Sequence, residues 1–349
     1  MYIFATFFVI KQVAISKNLT IMRPFIYTNA TNEKQAMQAF RPNSHYLGGG
    51  TNLVDLMKED VERPNQLINI NDLSNQQIIA SANGGLTIGA MARNAETANH
   101  KEVRTKYPLL SMAMLSAATA QIRNMASNGG NLLQRTRCPY FYDTSMPCNK
   151  REPNSGCGAK DGMNAVHAIF GYSDKCVAVQ PSDMCVALAA IGATVEVHQN
   201  NGSSRMIDFA NFHRLPGEQP EKDTNLQPGE LITAIHLAEP VFSNHYYYLK
   251  IRERSSYAFA LLSVAAGLQI QNDVIIKAGI AMGGVAHKPW KLVKAEEYLK
   301  GKNPNKANFE AAAEMEMKDA MPLKENKYKV EMGKVAIVRA LTQAYERNT

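Results

Sequence analysis

The first part of the chain alternates short apolar runs with polar stretches of helical length. Apolar runs bounded by turn residues predict strands, and polar stretches with spaced apolar positions predict helices. The predicted strands cover residues 25–27, 45–47, 67–70 and 86–90. Because a helix near residues 32–40 lies between the first two strands, the pattern predicts a compact βαβ-like unit.

A helical pattern follows over residues 94–123. The positions that recur on one predicted face are Thr97, Leu109, Met112, Leu115 and Ala118. This spacing predicts a helical layer between two glycine-rich segments. Further along, Ser182 and Asp183 can cap a helix, which is followed by an alternating strand at 193–197 and an Asn-Asn-Gly hairpin turn.

The last third of the chain has the pattern of a second α+β unit. Residues 217–229 are rich in Pro, Glu, Lys and Gly, which predicts an exposed connection, and we place a domain boundary near Pro240. The predicted elements after it are strands at 246–250, 261–270 and 274–282 and helices at 293–300, 309–317 and 329–345. The sequence contains no internal repeat.

Composition indicates a soluble globular protein of two or three domains, with 349 residues, 45% hydrophobic and 20% charged. The net charge of +7 is scattered and forms no basic stripe, so we expect no nucleic-acid partner. The apolar run at 2–10 is too short to span a bilayer and lacks the flanks of a signal peptide, so we expect no stable membrane insertion. We interpret residues 1–21 as a non-native or flexible N-terminal extension, with a targeting segment as the alternative.

Two glycine-rich segments are candidate ligand sites. The first consists of Gly48, Gly49, Gly50, Thr51, Asn52 and Leu53, and the second of Ser127, Asn128, Gly129, Gly130 and Asn131. The first follows a predicted strand and precedes a helix, so its backbone N–H groups can converge on an anion. Neither has P-loop or dinucleotide-binding spacing. Two such segments suggest a long ligand held between them, and two unrelated tight turns are the alternative.

All five cysteines lie between positions 138 and 185. Four of them, Cys138, Cys148, Cys157 and Cys176, occur in a Gly- and Pro-rich stretch without a CxxC pair, and taken alone this spacing leaves a metal site and coincidence equally open. A disulfide framework is typical of small secreted domains rather than a chain of this length. Cys185 fits a buried helix face, and we interpret His167 as a surface or structural residue.

Taken together, these motifs resemble the FAD-binding subunit of molybdenum hydroxylases, the xanthine dehydrogenase and aldehyde oxidoreductase enzymes. The resemblance is carried by residues 48–53, 88–90, 122–124, 129–131 and 250–260, and it runs from about Met22 to near the C-terminus. It implies an α+β fold with a two-subdomain FAD-binding PCMH-type domain of the vanillyl-alcohol-oxidase-like class, followed by a C-terminal domain of the CO dehydrogenase flavoprotein type. The implied boundaries are 22–240 for the first domain, with subdomains at about 22–75 and 76–240, and 241–349 for the second.

The chain departs from most members of this family by an insertion over residues 132–181. Through residues 135–143 and 147–151 the insertion resembles that of flavin subunits of bacterial periplasmic aldehyde oxidoreductases. This resemblance implies a 4Fe-4S cluster held by Cys138, Cys148, Cys157 and Cys176, since a cubane takes four thiolates. A four-cysteine zinc site is the metal alternative.

The resemblance also implies roles for the other candidate residues. Both glycine segments would bind the FAD pyrophosphate and neighbouring groups, and Asp183 would face the adenine-ribose side. Lys250 and Tyr257 would lie near the isoalloxazine. The alternatives are a simple helix cap for Asp183 and a core aromatic for Tyr257. We expect no catalytic acid or base, because the cofactor carries the chemistry.

As implied by the family, the chain relays electrons. It would assemble with a molybdenum-cofactor large subunit and a 2Fe-2S small subunit, as a heterotrimer or a dimer of heterotrimers, and pass electrons to an external acceptor. Two other interpretations remain at this point: a free-standing flavin oxidoreductase, and a zinc-stabilised interaction protein. We expect a cytoplasmic location, or a periplasmic one if a partner carries a twin-arginine signal.

Overall fold

The fold begins with a small parallel sheet. In the computed structural model, which describes residues 22–347, the strands lie in the order β1-β3-β2. Its elements are β1 (Ile26–Asn29), α1 (Glu33–Ala39), β2 (Ser44–Leu47), α2 (Leu53–Lys58) and β3 (Gln66–Asn69). The Asn32 side chain accepts a hydrogen bond from the Gln35 N–H and so caps α1. The predicted βαβ-like unit is present, whereas the interpretation of residues 1–21 lies outside the described residues.

An antiparallel sheet of five strands forms the second unit, in the order β4-β5-β8-β6-β7. Its strands are β4 (Ile78–Ala80), β5 (Leu86–Gly89), β6 (Thr194–His198), β7 (Ser204–Asp208) and β8 (Leu231–Leu237). The helices of this part are α3 (Asn94–Asn99), α4 (Lys101–Lys106), α5 (Pro108–Ser116), α6 (Ala120–Met125), α7 (Asn128–Leu132), α8 (Pro139–Tyr142), α9 (Gly158–Asp161) and α10 (Asp183–Ile191). Helices α5 and α10 pack in the same apolar core as this sheet.

The predicted single helical face over residues 94–123 is wrong. The chain is divided into α3 to α6, because Pro108 has no N–H to continue a preceding helix and the residue before it, Tyr107, leaves helical geometry at φ −126°. Ala118 has a left-handed φ of 46°, which separates α5 from α6. Leu115 is consequently 42% exposed rather than part of a common buried stripe.

The C-terminal unit is an antiparallel sheet in the order β12-β11-β10-β9, covered by helices. Its elements are β9 (His245–Ile251), β10 (Leu262–Gln271), β11 (Val274–Gly283), β12 (Trp290–Lys291), α11 (Val293–Leu299), α12 (Lys306–Met317) and α13 (Tyr328–Glu346). One apolar core joins the sheet to these helices. The fold is therefore α+β throughout, as predicted, and no helix among residues 22–347 is both long and apolar enough to cross a bilayer.

The cysteine-containing insertion packs against the C-terminal unit. The backbone N–H groups of Ile169 and Phe170 both donate to the Val285 carbonyl, at 2.9 and 3.0 Å. The Phe170 ring stacks on Trp290 at a centroid distance of 4.9 Å. Both side chains belong to the C-terminal core, so this core fixes the end of the insertion.

A buried lysine strengthens this connection. Lys329, near the start of α13, is fully buried, and its Nζ donates to the carbonyl oxygens of His167 at 2.9 Å and Gly284 at 2.7 Å. Burial lowers the pKa of Lys329 from 10.5 to about 7, because the charged ammonium loses its hydration.

We predict that Lys329→Met changes the pH dependence of stability. Between about pH 7 and 10.5 the unfolded chain holds a proton on Lys329 that the folded chain has lost, so raising the pH favours folding in this window. The free energy of unfolding of the wild type, relative to the variant, should rise by up to about 1.4 kcal/mol per pH unit in urea titrations. Lys327→Met, at an exposed lysine of the same segment, is the control and should follow the wild type. Parallel profiles for wild type and Lys329→Met would contradict the assignment.

Candidate functional site

The first glycine segment lies between β2 and α2 and comes very close to the end of α6. A Cβ atom on Gly49 would lie 1.9 Å from the Met125 carbonyl oxygen, and one on Gly48 would lie 2.8 Å from the Ser127 Oγ. No side chain fits at Gly49, because the atom that it would meet belongs to the backbone of Met125. The absence of side chains therefore brings the first unit into contact with the second glycine segment.

The second glycine segment was not predicted to be helical, but residues 128–132 form the short helix α7. Ser127 caps it, since its Oγ accepts a hydrogen bond from the Gly130 N–H at 3.2 Å. Gly129 lies against Ala90, to whose carbonyl it donates at 2.8 Å. Asn128 is fully buried and its Nδ2 donates to Thr97 Oγ1 at 2.8 Å. The sequence signal missed the helix because glycine is a poor helix former and the helix is only five residues long.

Both glycine segments border one cavity of about 820 Å³. The predicted residues that line it are Gly48, Gly49, Gly50, Thr51, Asn52, Leu53, Ser127, Gly130, Asn131, Asp183, Lys250 and Tyr257. Asn128 and Gly129 do not line it; they hold α7 against the end of β5 instead. A volume of this size is within the range of cofactor sites, about 300–1,000 Å³. The lining residues come from the first unit, the second unit and the C-terminal unit, which suits a long ligand.

Several lining residues were not predicted. Arg135 and Arg137 of the insertion, His167, Gln180 and Phe259 also border the cavity. The Arg137 guanidinium lies over the Phe259 ring at 4.9 Å. The alternation of arginines with Thr136 and Cys138 was visible in the sequence, but nothing in it showed that this stretch folds back onto the glycine segments.

Asp183 and Lys250 form a buried ion pair. Lys250 Nζ lies 2.8 Å from Asp183 Oδ2, with side chains only 4% and 6% exposed, and the Tyr248 hydroxyl donates to Oδ1 at 2.7 Å. Helix α10, capped by Ser182, holds the carboxylate, and strand β9 holds the lysine. Asp183 and Lys250 therefore lie at one place on the cavity wall. The roles implied for them, Asp183 toward the adenine ribose and Lys250 near the isoalloxazine, stay predictions.

Tyr257 is located at the edge of the cavity and is not a core aromatic. Its side chain is 54% exposed, and its φ of 48° is left-handed, an uncommon conformation for an aromatic residue. Arg254 lies over its ring at 5.4 Å and donates to its carbonyl from Nε at 2.9 Å. This segment therefore forms a polar and aromatic border at the C-terminal side of the cavity.

Four cysteines of the insertion converge on a second, small cavity of about 10 Å³. They are Cys138, Cys148, Cys157 and Cys176, and they pack with Phe141, Ala159 and Ala178 in one apolar cluster. A short antiparallel pairing brings Cys148 opposite Cys157. Burial raises the pKa of Cys138 to about 12 and of Cys176 to about 11, so a metal would have to displace thiol protons. Cys185 lies elsewhere, in the core around α10.

The four thiols are not arranged for a single ion. Across residues 22–347, no three His, Cys, Asp or Glu side chains are placed so that they could hold one metal ion. A tetrahedral zinc site needs all its sulfurs at about 2.3 Å from one point. The geometry thus gives no support to the zinc alternative.

His167 is not a surface residue. It is 1% exposed, and its Nε2 lies 3.1 Å from the Cys138 Sγ. Burial, together with the nearby Lys329, lowers the pKa of His167 to about 4. The imidazole is therefore neutral at physiological pH and carries a single N–H.

Ion pairs attach the insertion to the rest of the chain. Arg135 pairs with Glu62 of the first unit and with Asp223, whose Oδ2 lies 2.9 Å from its Nε, and the buried Lys150 also pairs with Asp223. Burial alone would raise the pKa of Asp223, but Lys150 and Arg135 outweigh burial and hold it well below its usual range. The 217–229 connection, which we predicted to be exposed, therefore supplies a structural anion.

This geometry agrees with the family to which the chain belongs. Residues 18–240 match the model of the FAD binding domain in molybdopterin dehydrogenase, and residues 247–344 match the CO dehydrogenase flavoprotein C-terminal domain. The chain is therefore a member of the family of FAD-binding domains of molybdopterin dehydrogenases.

Individual relatives share most of the chain. It is 43% identical to the aldehyde oxidoreductase FAD-binding subunit PaoB of Escherichia coli (strain K12), over 93% of this chain and 99% of that protein. The glyceraldehyde dehydrogenase medium chain of Sulfolobus acidocaldarius is 26% identical over 80% of this chain and 83% of its own length. Among solved structures, CO dehydrogenase from Oligotropha carboxidovorans has the same fold, with a TM-score of 0.73, 22% identity and coverage of 94% of this chain and 99% of that one.

We predict that Gly49→Ala strongly reduces FAD binding. The new methyl group must displace the Met125 backbone, so the two glycine segments separate. Gly130→Ala is the matched control on the same cavity, since its Cβ would meet only the Ser127 hydroxyl, at 3.0 Å. FAD released on denaturation, measured per chain by absorbance, should fall severely in the first variant and much less in the second. Equal FAD content in the two variants would contradict the role of this contact.

We also predict that Asp183 and Lys250 are strongly coupled in stability. Lys250→Met should cost about 3–5 kcal/mol, because it leaves a buried carboxylate without its cation. Asp183→Asn should also destabilise the fold, and the double variant should cost clearly less than the sum of the two. Free energies of unfolding from denaturant titrations complete the double-mutant cycle. Additive single effects would show that the pair contributes no mutual stabilisation.

Proposed function

We propose that the chain is the FAD-binding electron-transfer subunit of a multi-subunit, molybdenum-dependent aldehyde oxidoreductase. The observation that carries the proposal is the single large cavity bordered by both glycine segments, in a chain that belongs to this FAD-binding family. The aldehyde substrate class is supported by the 43% identity to an aldehyde oxidoreductase subunit across nearly its whole length.

The residues that line the cavity fit FAD. The bare backbone of residues 48–50 offers N–H groups and space for an anionic pyrophosphate. The N–H groups of residues 128–131, at the start of α7, donate to acceptors within the chain, so α7 forms a wall of the cavity. The Arg137 guanidinium borders the cavity and adds positive charge there, whereas the charge of Arg135 is taken up by Glu62 and Asp223. FAD, when bound, supplies the exchange between paired and single electrons. The chain contributes position, exclusion of water and local charge, and we assign no acid or base to it.

The four cysteines of the insertion support a 4Fe-4S cluster as the second cofactor. The donor set is the one that a cubane requires, with one thiolate for each iron, and the apolar packing around it limits solvent access. The four irons of a cubane separate the sulfurs more widely than one ion does, which agrees with the lack of a single-ion arrangement in the described residues. Cys138, Cys148, Cys157 and Cys176 would hold the cluster.

The proposed partners are separate chains. A large subunit would carry the molybdenum cofactor and a small subunit would carry 2Fe-2S clusters, in a heterotrimer or a dimer of heterotrimers. Electrons would reach this chain from the small subunit and leave to an external acceptor. We propose a cytoplasmic location, or a periplasmic one if the assembled complex is exported with a partner that carries a twin-arginine signal.

The cofactor assignment predicts a selective effect of cysteine substitution. The full-length wild type, purified without oxygen, should contain flavin and about four irons per chain, the number in a cubane. Cys148→Ser and Cys157→Ser should lose most of the iron and retain FAD, because neither residue lines the flavin cavity. Cys185→Ser is the matched control and should keep both cofactors.

Iron by colorimetric assay, zinc by mass spectrometry and flavin by absorbance distinguish the outcomes. Flavin without iron in the wild type would contradict the 4Fe-4S cluster, and FAD would then be the one cofactor that this proposal retains. One zinc per chain in the wild type, lost in Cys148→Ser, would show that the four cysteines bind zinc instead of an iron cluster.

A further inference from the structure

Cys138 and His167 occupy the wall between the two cavities of the candidate site. Cys138 lines both the small cysteine cavity and the large flavin cavity. His167 lines the large cavity, and its Nε2 lies 3.1 Å from the Cys138 sulfur. Among the four cysteines, Cys138 is the only one that borders both spaces. Cys138, with Thr136, therefore forms the wall between the two spaces, and His167 contacts its sulfur from the flavin side.

The position of His167 is fixed by the C-terminal unit. Its carbonyl accepts hydrogen bonds from Lys329 Nζ at 2.9 Å and from Asn326 Nδ2 at 3.1 Å. Its backbone N–H donates to the Asn164 carbonyl at 3.1 Å. Three buried polar contacts on the backbone hold the residue in place, so the imidazole is presented to the sulfur by a scaffold that does not include any of the cysteines.

The two ring nitrogens of His167 have different surroundings. A cysteine bound to iron is a thiolate, which carries no proton and can only accept a hydrogen bond. Nε2 must then carry the hydrogen. Nδ1 becomes an acceptor, and within residues 22–347 it is buried without a hydrogen-bond partner.

We propose that His167 is a positioning residue at the boundary between the cysteine-bound cluster and the flavin site, and that it donates Nε2–H to the Cys138 sulfur. The inference rests on the proposed function, since it requires the iron cluster. It assigns to the insertion a role in setting the cluster's reduction potential next to the flavin.

The effect on the potential follows from charge. In a mediated titration, the mediator loses one electron and the cluster gains one, with no bond broken and no proton moved. The added negative charge is shared by the sulfurs, so an N–H···S hydrogen bond stabilises the reduced level more than the oxidised level. The His167 bond therefore raises the midpoint potential.

The test uses the full-length chain, purified without oxygen and titrated while the reduced cluster is followed by electron paramagnetic resonance. His167→Leu should lower the midpoint potential, because the N–H donor to the Cys138 sulfur is lost. His167→Gln, whose amide can still donate to the sulfur, should restore most of the potential. His213→Leu is the control, because His213 is also buried but its Nε2 bonds the Leu132 carbonyl and no sulfur.

A second measurement needs no variant. In wild-type protein labelled with 15N-histidine, pulsed resonance of the reduced cluster should show a weak 15N coupling from His167, so this readout decides the matter if His167→Leu does not retain iron. Equal midpoints for wild type and His167→Leu, or no 15N coupling in an iron-loaded wild type, would overturn the inference alone. A wild type without iron would overturn the cluster assignment and this inference together.

Discussion

The structure depends on the close approach of the first glycine segment to the end of α6. The Gly49 backbone comes so near the Met125 carbonyl that even a methyl group would overlap with it. This contact joins a small parallel sheet to a larger antiparallel one and brings residues 48–53 opposite residues 127–131. Two segments about eighty residues apart in the sequence thereby share a single cavity. Any side chain at this point would separate the walls of the site.

The insertion is built into the fold rather than appended to its surface. Ion pairs of Arg135 and Lys150 attach its first part to Glu62 and Asp223. Backbone hydrogen bonds to Val285 attach its last part to the C-terminal unit. The four cysteines of the insertion pack with Leu56 of α2, so the same helix that follows the first glycine segment also covers the cysteine cavity. The two candidate cofactor sites are therefore adjacent, because α2 borders both of them.

Much of the fold could be predicted because its elements are locally encoded. An alternating run identified β6, strands were also predicted at the positions of β10 and β11, and Ser182 was recognised as the cap of α10. The helical run at 94–123 was misjudged, since a shared period does not show that Pro108 and Ala118 divide the chain.

The site was predictable in its residue types more than in its contacts. The clustering of glycines in two segments and of cysteines in the insertion is not needed for helix or strand formation, so it indicated ligand sites. The Asp183–Lys250 pair and the contact of His167 with Cys138 join residues 67 and 29 positions apart, and no periodicity encodes contacts at that distance. The same holds for Asn128 and Gly129, which brace α7 although the motif suggested that they face the ligand.

The measurement that tests the account most directly is an anomalous-scattering experiment at the iron edge, on crystals of the full-length chain purified without oxygen. We expect an iron peak among Cys138, Cys148, Cys157 and Cys176, and flavin density that runs between residues 48–53 and 127–131. A peak that appears only at the zinc edge, or flavin density away from the two glycine segments, would contradict it.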